Sequence, residues 1–304
     1  MSANVSKPAA HLTPQTPLLP AVQAWEIYLQ DQDRSPYTIK AFMGDLNLLA
    51  DYLPPDRTLG AITTGDLNNF LKWLQDGRGV PCSPKTLARR ITSLKSFFRW
   101  LNEGGTILVD PAEKVVQQSV ISPLPIVLTP DEEAKVMEAA QAYRDDGKPD
   151  ARPYVLIRLL LSTGIKKGEC LAIDVNHLEL DGPQPYLFVR YANPNYRYKE
   201  RKIDLPQDWV TVYREYAAQY KLNGQIFPWS PRRLEYLLEE VGEKAGLDKH
   251  LSFDMCRWTA VLDDWRSGAE QERIRQKLGI SKVQWREVSM KLNKLAALNE
   301  SGQG

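Results

Sequence analysis

The 304-residue chain is poor in the side chains that carry redox, metal and acid–base chemistry: three cysteines, three histidines and no tyrosine beyond Tyr236. Cys82, Cys170 and Cys256 are widely spaced and odd in number, which argues against a disulfide framework or a cysteine-rich metal site and predicts reduced, packed thiols. No metal or cofactor is implied. No run approaches the roughly 20 apolar residues of a membrane span, and the polar, proline-bearing start up to Pro20 has no signal-peptide core. A cytoplasmic protein without a membrane partner is expected. Charge of one sign is scarce too: 39 Lys and Arg against 38 Asp and Glu leave +1. The chain as a whole does not advertise a polyanion partner, so any nucleic-acid signal must be local.

The length is comfortable for two domains, and 43% apolar with 25% charged residues is ordinary globular composition. Residues 1–19, rich in Pro, Ala, Thr and Ser without a period, predict a disordered arm. Four helices follow within 20–114. The first carries Val22, Trp25, Ile27, Tyr28 and Leu29. The second opens at Ser35-Pro36, an N-cap followed by a proline in the first turn. The third starts near Thr63-Thr64 and ends at Gly77 and Gly79. The fourth runs from Ser83-Pro84 to Gly104-Gly105. In this last helix Leu87, Ile91, Leu94, Phe98 and Leu101 recur at steps of four and three and form a buried stripe. Lys85, Arg89, Thr92, Ser96 and Arg99 recur at the same steps on another face, Arg90 and Lys95 add two cations, and no acid falls between Lys85 and Arg99. Cations interleaved with hydroxyls on an anchored helix suit docking against phosphates; a solvated basic face is the equal alternative.

Residues 115–127 read as a linker, and 128–304 as a mixed domain. Thr129-Pro-Asp-Glu132 forms a capping box. Tyr154–Ser162 predicts a buried helix closed by Thr163-Gly164. Tyr186–Tyr191 and Arg201–Leu205 predict strands of a small antiparallel sheet, with a turn at Asn193-Pro194-Asn195. Arg190, Arg197, Lys199, Arg201 and Lys202, interleaved with Tyr191, Tyr196 and Tyr198, suit a strand-borne backbone clamp or an ordinary surface hairpin. Trp209–Tyr220 is an amphipathic helix, Ser230-Pro-Arg-Arg233 opens another, and Gln284–Leu298 predicts a last one.

Ser35–Leu46, Ser83–Leu101 and Asp110-Pro-Ala resemble, over some ninety residues in register, the SAM-like core-binding domain of the tyrosine recombinase (phage integrase, Xer-like) family. Leu251-Ser-Phe-Asp-Met-Cys-Arg257 and Leu278-Gly-Ile280 are similar to that family's His-x-x-Arg and Leu-Gly-His signatures, and Leu160-Leu-Ser-Thr-Gly-Ile165-Lys to its first arginine motif. The fold implied is mainly α with a small antiparallel β-sheet: a SAM-like helical domain followed by a catalytic-type α+β domain. The resemblance implies contacts to double-stranded DNA from the second and fourth helices, here Thr38, Lys40, Lys85, Arg89, Arg90, Thr92, Lys95, Ser96 and Arg99. It adds Lys166, Arg197, Lys199, Arg201, Arg232, Arg233 and Arg257 from the second domain.

The six positions matching the family's catalytic groups hold Lys166, Tyr196, Asp254, Arg257, Ile280 and Ser289. Arg257 alone is unchanged. Lysine keeps charge but loses the planar fork, Ile280 cannot donate a hydrogen bond, and Ser289 replaces a phenol with a far less acidic hydroxyl. The expectation is a nucleoid-associated DNA-binding protein that has lost strand cleavage, marking a site or partnering an active relative. The family's exchange of the last helix between subunits implies a homo- or hetero-oligomer; the helix folding back on its own domain is the alternative. Two other functions stay open: an active recombinase with relocated or in-trans groups, and an interaction scaffold without DNA.

Overall fold

The computed structural model describes residues 12–80, 82–116 and 123–300 and is mainly α, with one small antiparallel sheet. The chain divides into two compact units, Met1–Ser122 and Pro123–Gly304. The expected linker, 115–127, straddles that division. Val115 is buried in the first core, Val127 packs against an apolar cluster of the second, and 117–122 lie outside the described residues.

The first unit is built on helices α1 (Leu18–Asp31), α2 (Pro36–Tyr52), α3 (Thr64–Lys72) and α4 (Pro84–Glu103). Serine caps start two of them: Ser35 Oγ accepts from Thr38 N at 3.1 Å and Ser83 Oγ from Thr86 N at 3.2 Å, each followed by proline at the first turn. Thr63 and Asp66 form a reciprocal capping box at α3, which runs on into a π turn over Trp73–Gly77. Trp25 stands at the centre, stacked on Phe42 at 5.6 Å and edge-on to Phe97 at 5.3 Å. Such pairs add about 0.5–1.5 kcal/mol beyond area burial.

The expected arm of 1–19 is corrected over its second half. Pro14 O accepts from Gly60 N at 2.8 Å, Thr16 O accepts from Leu59 N at 2.9 Å, and Leu18 is buried at the start of α1. Proline cannot donate, but its carbonyl pairs as well as any other, so composition alone misread this stretch. Residues 1–11 lie outside the described residues.

The second unit comprises α5 (Pro130–Ala142), α6 (Arg152–Thr163), α7 (Lys167–Leu171), strands β1 (Leu178–Glu179), β2 (Tyr186–Val189) and β3 (Arg201–Asp204), then α8 (Gln207–Tyr220), α9 (Pro231–Lys244), α10 (Phe253–Arg266), α11 (Gln271–Leu278) and α12 (Lys282–Glu300). The sheet order is β1-β2-β3, all antiparallel, with Leu187 opposite Ile203 and Val189 opposite Arg201. α6 is the central helix. Val155, Leu156, Ile157, Leu159 and Leu160 are buried, and α5, α8, α9 and α10 pack around it, as a helix apolar over most of its surface requires.

Gly164 ends α6 in the left-handed conformation (φ 59°), with Ala260 and Val261 of α10 against it. Between β2 and β3 the chain forms a 3₁₀ helix over Pro194–Lys199, so Arg197 and Lys199 are not strand-borne. α12 folds back on its own unit: Leu292 and Leu295 are buried with Val261, Leu262, Ile274 and Leu278.

Candidate nucleic-acid interface

On the first unit, α4 presents Lys85, Thr92 and Arg99 exposed, with Arg89, Lys95 and Ser96 half-buried; Lys40 is exposed and Thr38 half-buried on α2. Thr92 Oγ1 donates to Ala88 O at 3.0 Å and Thr38 Oγ1 lies 2.8 Å from Ser35 Oγ. Beneath this face sits Asp45, only 3% exposed. It accepts from Arg89 and, at 2.7 Å, from Ser93 Oγ, while Arg90 Nε is 3.5 Å away. Arg89 also donates to Ala41 O at 3.2 Å.

Arg90 is a correction. Its guanidinium is buried between Asp45 and Cys82 Sγ (3.3 Å), so it serves the α2–α4 packing and not a ligand. A buried carboxylate demands paired, hydrogen-bonded partners, and Asp45 takes both arginines. The signal was in the sequence: an aspartate on the apolar side of α2, among Met43, Leu46 and Leu49.

On the second unit, Glu169 is the hub. Arg201 grips it with both terminal nitrogens, Nη1 on Oε1 at 3.0 Å and Nη2 on Oε2 at 2.9 Å. The Tyr191 hydroxyl donates to Oε1, Lys166 N–H donates to Oε2 at 2.9 Å, and Lys166 Nζ stands 3.9 Å from Oε1. Burial alone would push the Glu169 carboxyl up; the hydrogen bonds and charge of Arg201, with Tyr191 and the Lys166 amide, outweigh it and hold the group at about 2.

Three successive carbonyls at the end of α11 are each taken by a different cation. Arg201 Nε donates to Lys277 O at 2.7 Å, Arg257 Nη2 to Leu278 O at 3.2 Å and Lys166 Nζ to Gly279 O at 3.4 Å. Arg257 Nη1 donates to Gly164 O at the end of α6. The last carbonyls of a helix have no internal partner and carry its negative pole, so cations cap both ends. Gly279 (φ 58°) permits the approach; a Cβ there would lie 2.6 Å from Arg201 Nη1. Burial, and then repulsion by Arg257, Arg201 and Lys199 set against attraction by Glu169, lowers Lys166 to about 8. Arg257 falls to about 10, chiefly through burial.

Arg201 is therefore a second correction: expected at phosphates, it is almost fully buried, and Nε, Nη1 and Nη2 are all engaged within the protein. The other matched positions scatter. Asp254 is exposed in the first turn of α10, and it lines a cleft of about 480 Å³ with Lys166, Lys167, Glu235, His250 and Arg257. Ile280 packs against the apolar cluster under α12. Ser289 Oγ donates to Arg286 O of its own helix at 3.2 Å. Tyr196, on the 3₁₀ helix, lies under Lys199 Nζ at 4.6 Å.

Arg197 is exposed and Lys199 half-buried. Arg232 and Arg233 are exposed at the start of α9; Arg232 donates to Tyr236 at 2.8 Å and Arg233 pairs with Glu240 at 3.2 Å. Two groups beside the cluster, Tyr191 and His250, fall outside the matched positions, and nothing in their local sequence sets them apart.

Residues 22–105 match the family described as phage integrase, N-terminal SAM-like domain. The chain is 34% identical over 149 residues to tyrosine recombinase XerC of Mycobacterium bovis (strain BCG / Pasteur 1173P2), covering 48% of this chain and 49% of that protein. It thus spans about half the length of that curated relative. Tyrosine recombinase XerD of Listeria innocua serovar 6a is 23% identical over 272 residues, covering 85% of this chain and 89% of that protein. Among solved structures, a lambda integrase dimer bound to a COC′ core site is similar at a TM-score of 0.69 and 16% identity, over 90% of this chain and 77% of that one. The XerH site-specific recombinase bound to a palindromic difH substrate, a post-cleavage complex, matches at 0.69 and 17%, over 92% and 85%. At such identities the structural likeness fixes the fold.

Proposed function

Because the chain belongs to the tyrosine recombinase and phage integrase family, we propose that it binds duplex DNA through the phosphate backbone and does not itself cut the strands. It marks or occludes a site, or joins an active relative as a noncatalytic subunit. One observation carries this reading. Lys166, Arg201 and Arg257 crowd around the Glu169 carboxylate, and even with Asp254 in the adjoining cleft three cations face two carboxylates, leaving net positive charge where an anion can sit. Among the described residues, the two matched positions Ser289 and Ile280 bring no attacking group to that charge: the Ser289 hydroxyl donates to its own helix and Ile280 is packed with apolar side chains.

Phosphate contact falls to exposed Lys85, Thr92, Arg99 and Lys40 on the first unit, with Thr38, Arg89, Lys95 and Ser96 beside them, and to Lys166, Arg197, Lys199, Arg232, Arg233 and Arg257 on the second. The DNA held in the two solved structures named above supports the partner, and the lambda integrase dimer supports assembly on it. Assembly by exchange of α12 would require it to leave Val261, Leu262, Ile274 and Leu278. Among the described residues no helix is long and apolar enough to cross a membrane.

A second reading rests on Tyr191 and His250, a phenol and an imidazole beside the cluster: an active recombinase with relocated groups. Against it, the Tyr191 hydroxyl is spent as a donor to Glu169, and burial with that contact raises its pKa. A phenol held this firmly in its protonated form is a poor nucleophile. Incubation with nicked duplex that traps covalent intermediates separates the two. No protein–DNA adduct is expected; an adduct lost on Tyr191→Phe would establish the second reading.

A further inference from the structure

The connection between β2 and β3 carries three tyrosines, and two of them face water. Tyr198 is 75% exposed and Tyr196 41%. Lys199 Nζ lies over both rings, 4.6 Å from the centroid of Tyr196 and 5.2 Å from that of Tyr198, and the Tyr191 ring follows at 6.1 Å from Tyr196. Arg197 between them is exposed. The connection is built to hold its shape. Asn193 caps the 3₁₀ helix through Asn195 N at 2.9 Å, Tyr191 N donates to Glu200 Oε1 at 3.0 Å, and Lys199 O accepts from the buried Arg201 at 3.1 Å.

Beside the exposed rings is a cleft of about 340 Å³, lined by Tyr198, Lys199 and Glu200 on one side and by Arg275, Gln276 and Ser281 at the end of α11 on the other. A volume near the lower end of ordinary ligand pockets, about 300–1,000 Å³, with the Tyr198 ring and hydrogen-bonding groups among its walls, suits a flat heterocycle.

We propose that the Tyr196–Tyr198 connection is a stacking platform for an unpaired nucleobase, so that the protein prefers DNA in which a base has left the helix. The proposal rests on the DNA-binding reading above and specifies what its second unit recognises. Every base has a π face, so a tyrosine platform next to Lys199 and Arg197 takes an extruded base with little regard to sequence while the cations hold the flanking phosphates. In an intact duplex the bases are stacked on one another and present no face to these rings. In a bulge, gap or junction one base is free, and its edge can enter the cleft toward Gln276 and Ser281, while Arg275 is held by Glu272 and Ile280 O.

The test compares the full chain on two duplexes of one sequence, one intact and one with a single bulged 2-aminopurine, by anisotropy and by 2-aminopurine fluorescence. The bulged DNA is expected to bind roughly 5- to 150-fold tighter, the range for one stacked base, with the fluorophore quenched. The ratio should collapse toward one, and the quenching vanish, in Tyr196→Ala/Tyr198→Ala; the Phe versions of both should keep both signals, since the ring and not the hydroxyl stacks. Equal affinity for the two DNAs, or quenching that survives the double alanine, overturns the platform while leaving DNA binding intact. Failure to bind either DNA overturns the DNA-binding reading and the platform with it.

Discussion

Replacing Lys85 and Arg99 together by alanine should cut the salt dependence of duplex binding by a definite amount. Both are exposed, on one face of α4, whose opposite stripe of Ile91, Leu94, Phe98 and Leu101 is fully packed. Their removal therefore takes away charge without opening a cavity. Each cation neutralising one phosphate contributes about −0.9 to the slope of log affinity against log salt. The double variant should lose about 1.8 from that slope, so that between roughly 50 and 200 mM salt its affinity falls about tenfold less than the parent's.

Arg89 is the wrong residue for this experiment. It pairs with buried Asp45, and Arg89→Glu would set a second carboxylate against the first and confuse unfolding with weaker binding. Fluorescence anisotropy on one labelled duplex across a salt series gives both slopes. An unchanged slope in a folded variant would refute the placement of α4 on phosphate, and a parent without salt dependence would refute the backbone clamp altogether.

Three other outcomes follow from buried charge. Asp45→Ala strands Arg90 inside the first unit and should cost about 3–5 kcal/mol, read as a lower urea midpoint with an unchanged slope. Lys166 sits at about 8 against an ordinary 10.5; raising the pH from 7 to 9 discharges it in the folded protein, so duplex affinity should fall over that range and Lys166→Met should abolish the fall. The unfolded chain holds that proton up to 10.5, so between 8 and 10.5 this group makes stability rise with pH. Glu133 on α5 is raised to about 7 by burial and by Asp263 of α10. Its carboxyl keeps a proton in the fold that the unfolded chain releases near 4.5, so stability should fall as pH climbs from 4.5 to 7. Glu133→Gln should flatten that decline in a thermal-shift series.

The helices were legible because each announces itself locally. Ser35-Pro36 and Ser83-Pro84 cap where they stand, and the stripe from Leu87 to Leu101, half-buried at Leu87 and buried from Ile91 on, needs no knowledge of its partner to be recognised. The cations were not legible, because sequence gives Arg90 and Arg99, or Arg201 and Arg197, the same chemistry. What distinguishes them is a carboxylate elsewhere in the chain: Asp45 reaches Arg89 and Arg90 across α2 and α4, and Glu169 reaches Arg201 from the start of α7. The two residues of β1 offer too short a run to show a period of two. The pairing of Pro14 and Thr16 with the 58–60 segment uses backbone alone, which leaves no trace in side-chain composition.

Capping two helix ends does not disqualify the Lys166–Arg257 cluster from holding a phosphate. A hydrogen bond from a charged donor to a carbonyl contributes about 1.5–3 kcal/mol net, whereas two opposite charges about 4 Å apart near a protein surface attract by about 4 kcal/mol. A phosphate oxygen arriving at Lys166 or Arg257 can thus compete with Gly279 O and Leu278 O, whose bonds of 3.4 and 3.2 Å are the longer ones in the cluster. Arg201 differs. Its bidentate grip on Glu169 and its 2.7 Å bond to Lys277 O leave nothing to exchange, so a phosphate would have to be met by the other two cations. Holding a phosphate at this cluster would then call on Lys166 and Arg257, while cleavage would need in addition a group able to attack. The phenol within the cluster, Tyr191, is locked as a donor on the same Glu169 that anchors Arg201. Freeing it by Glu169→Gln would release Arg201 as well, so cleavage is not expected in that variant even if DNA binding survives; a nicked product from Glu169→Gln would refute the proposed loss of cleavage and name Tyr191 as the group to test next.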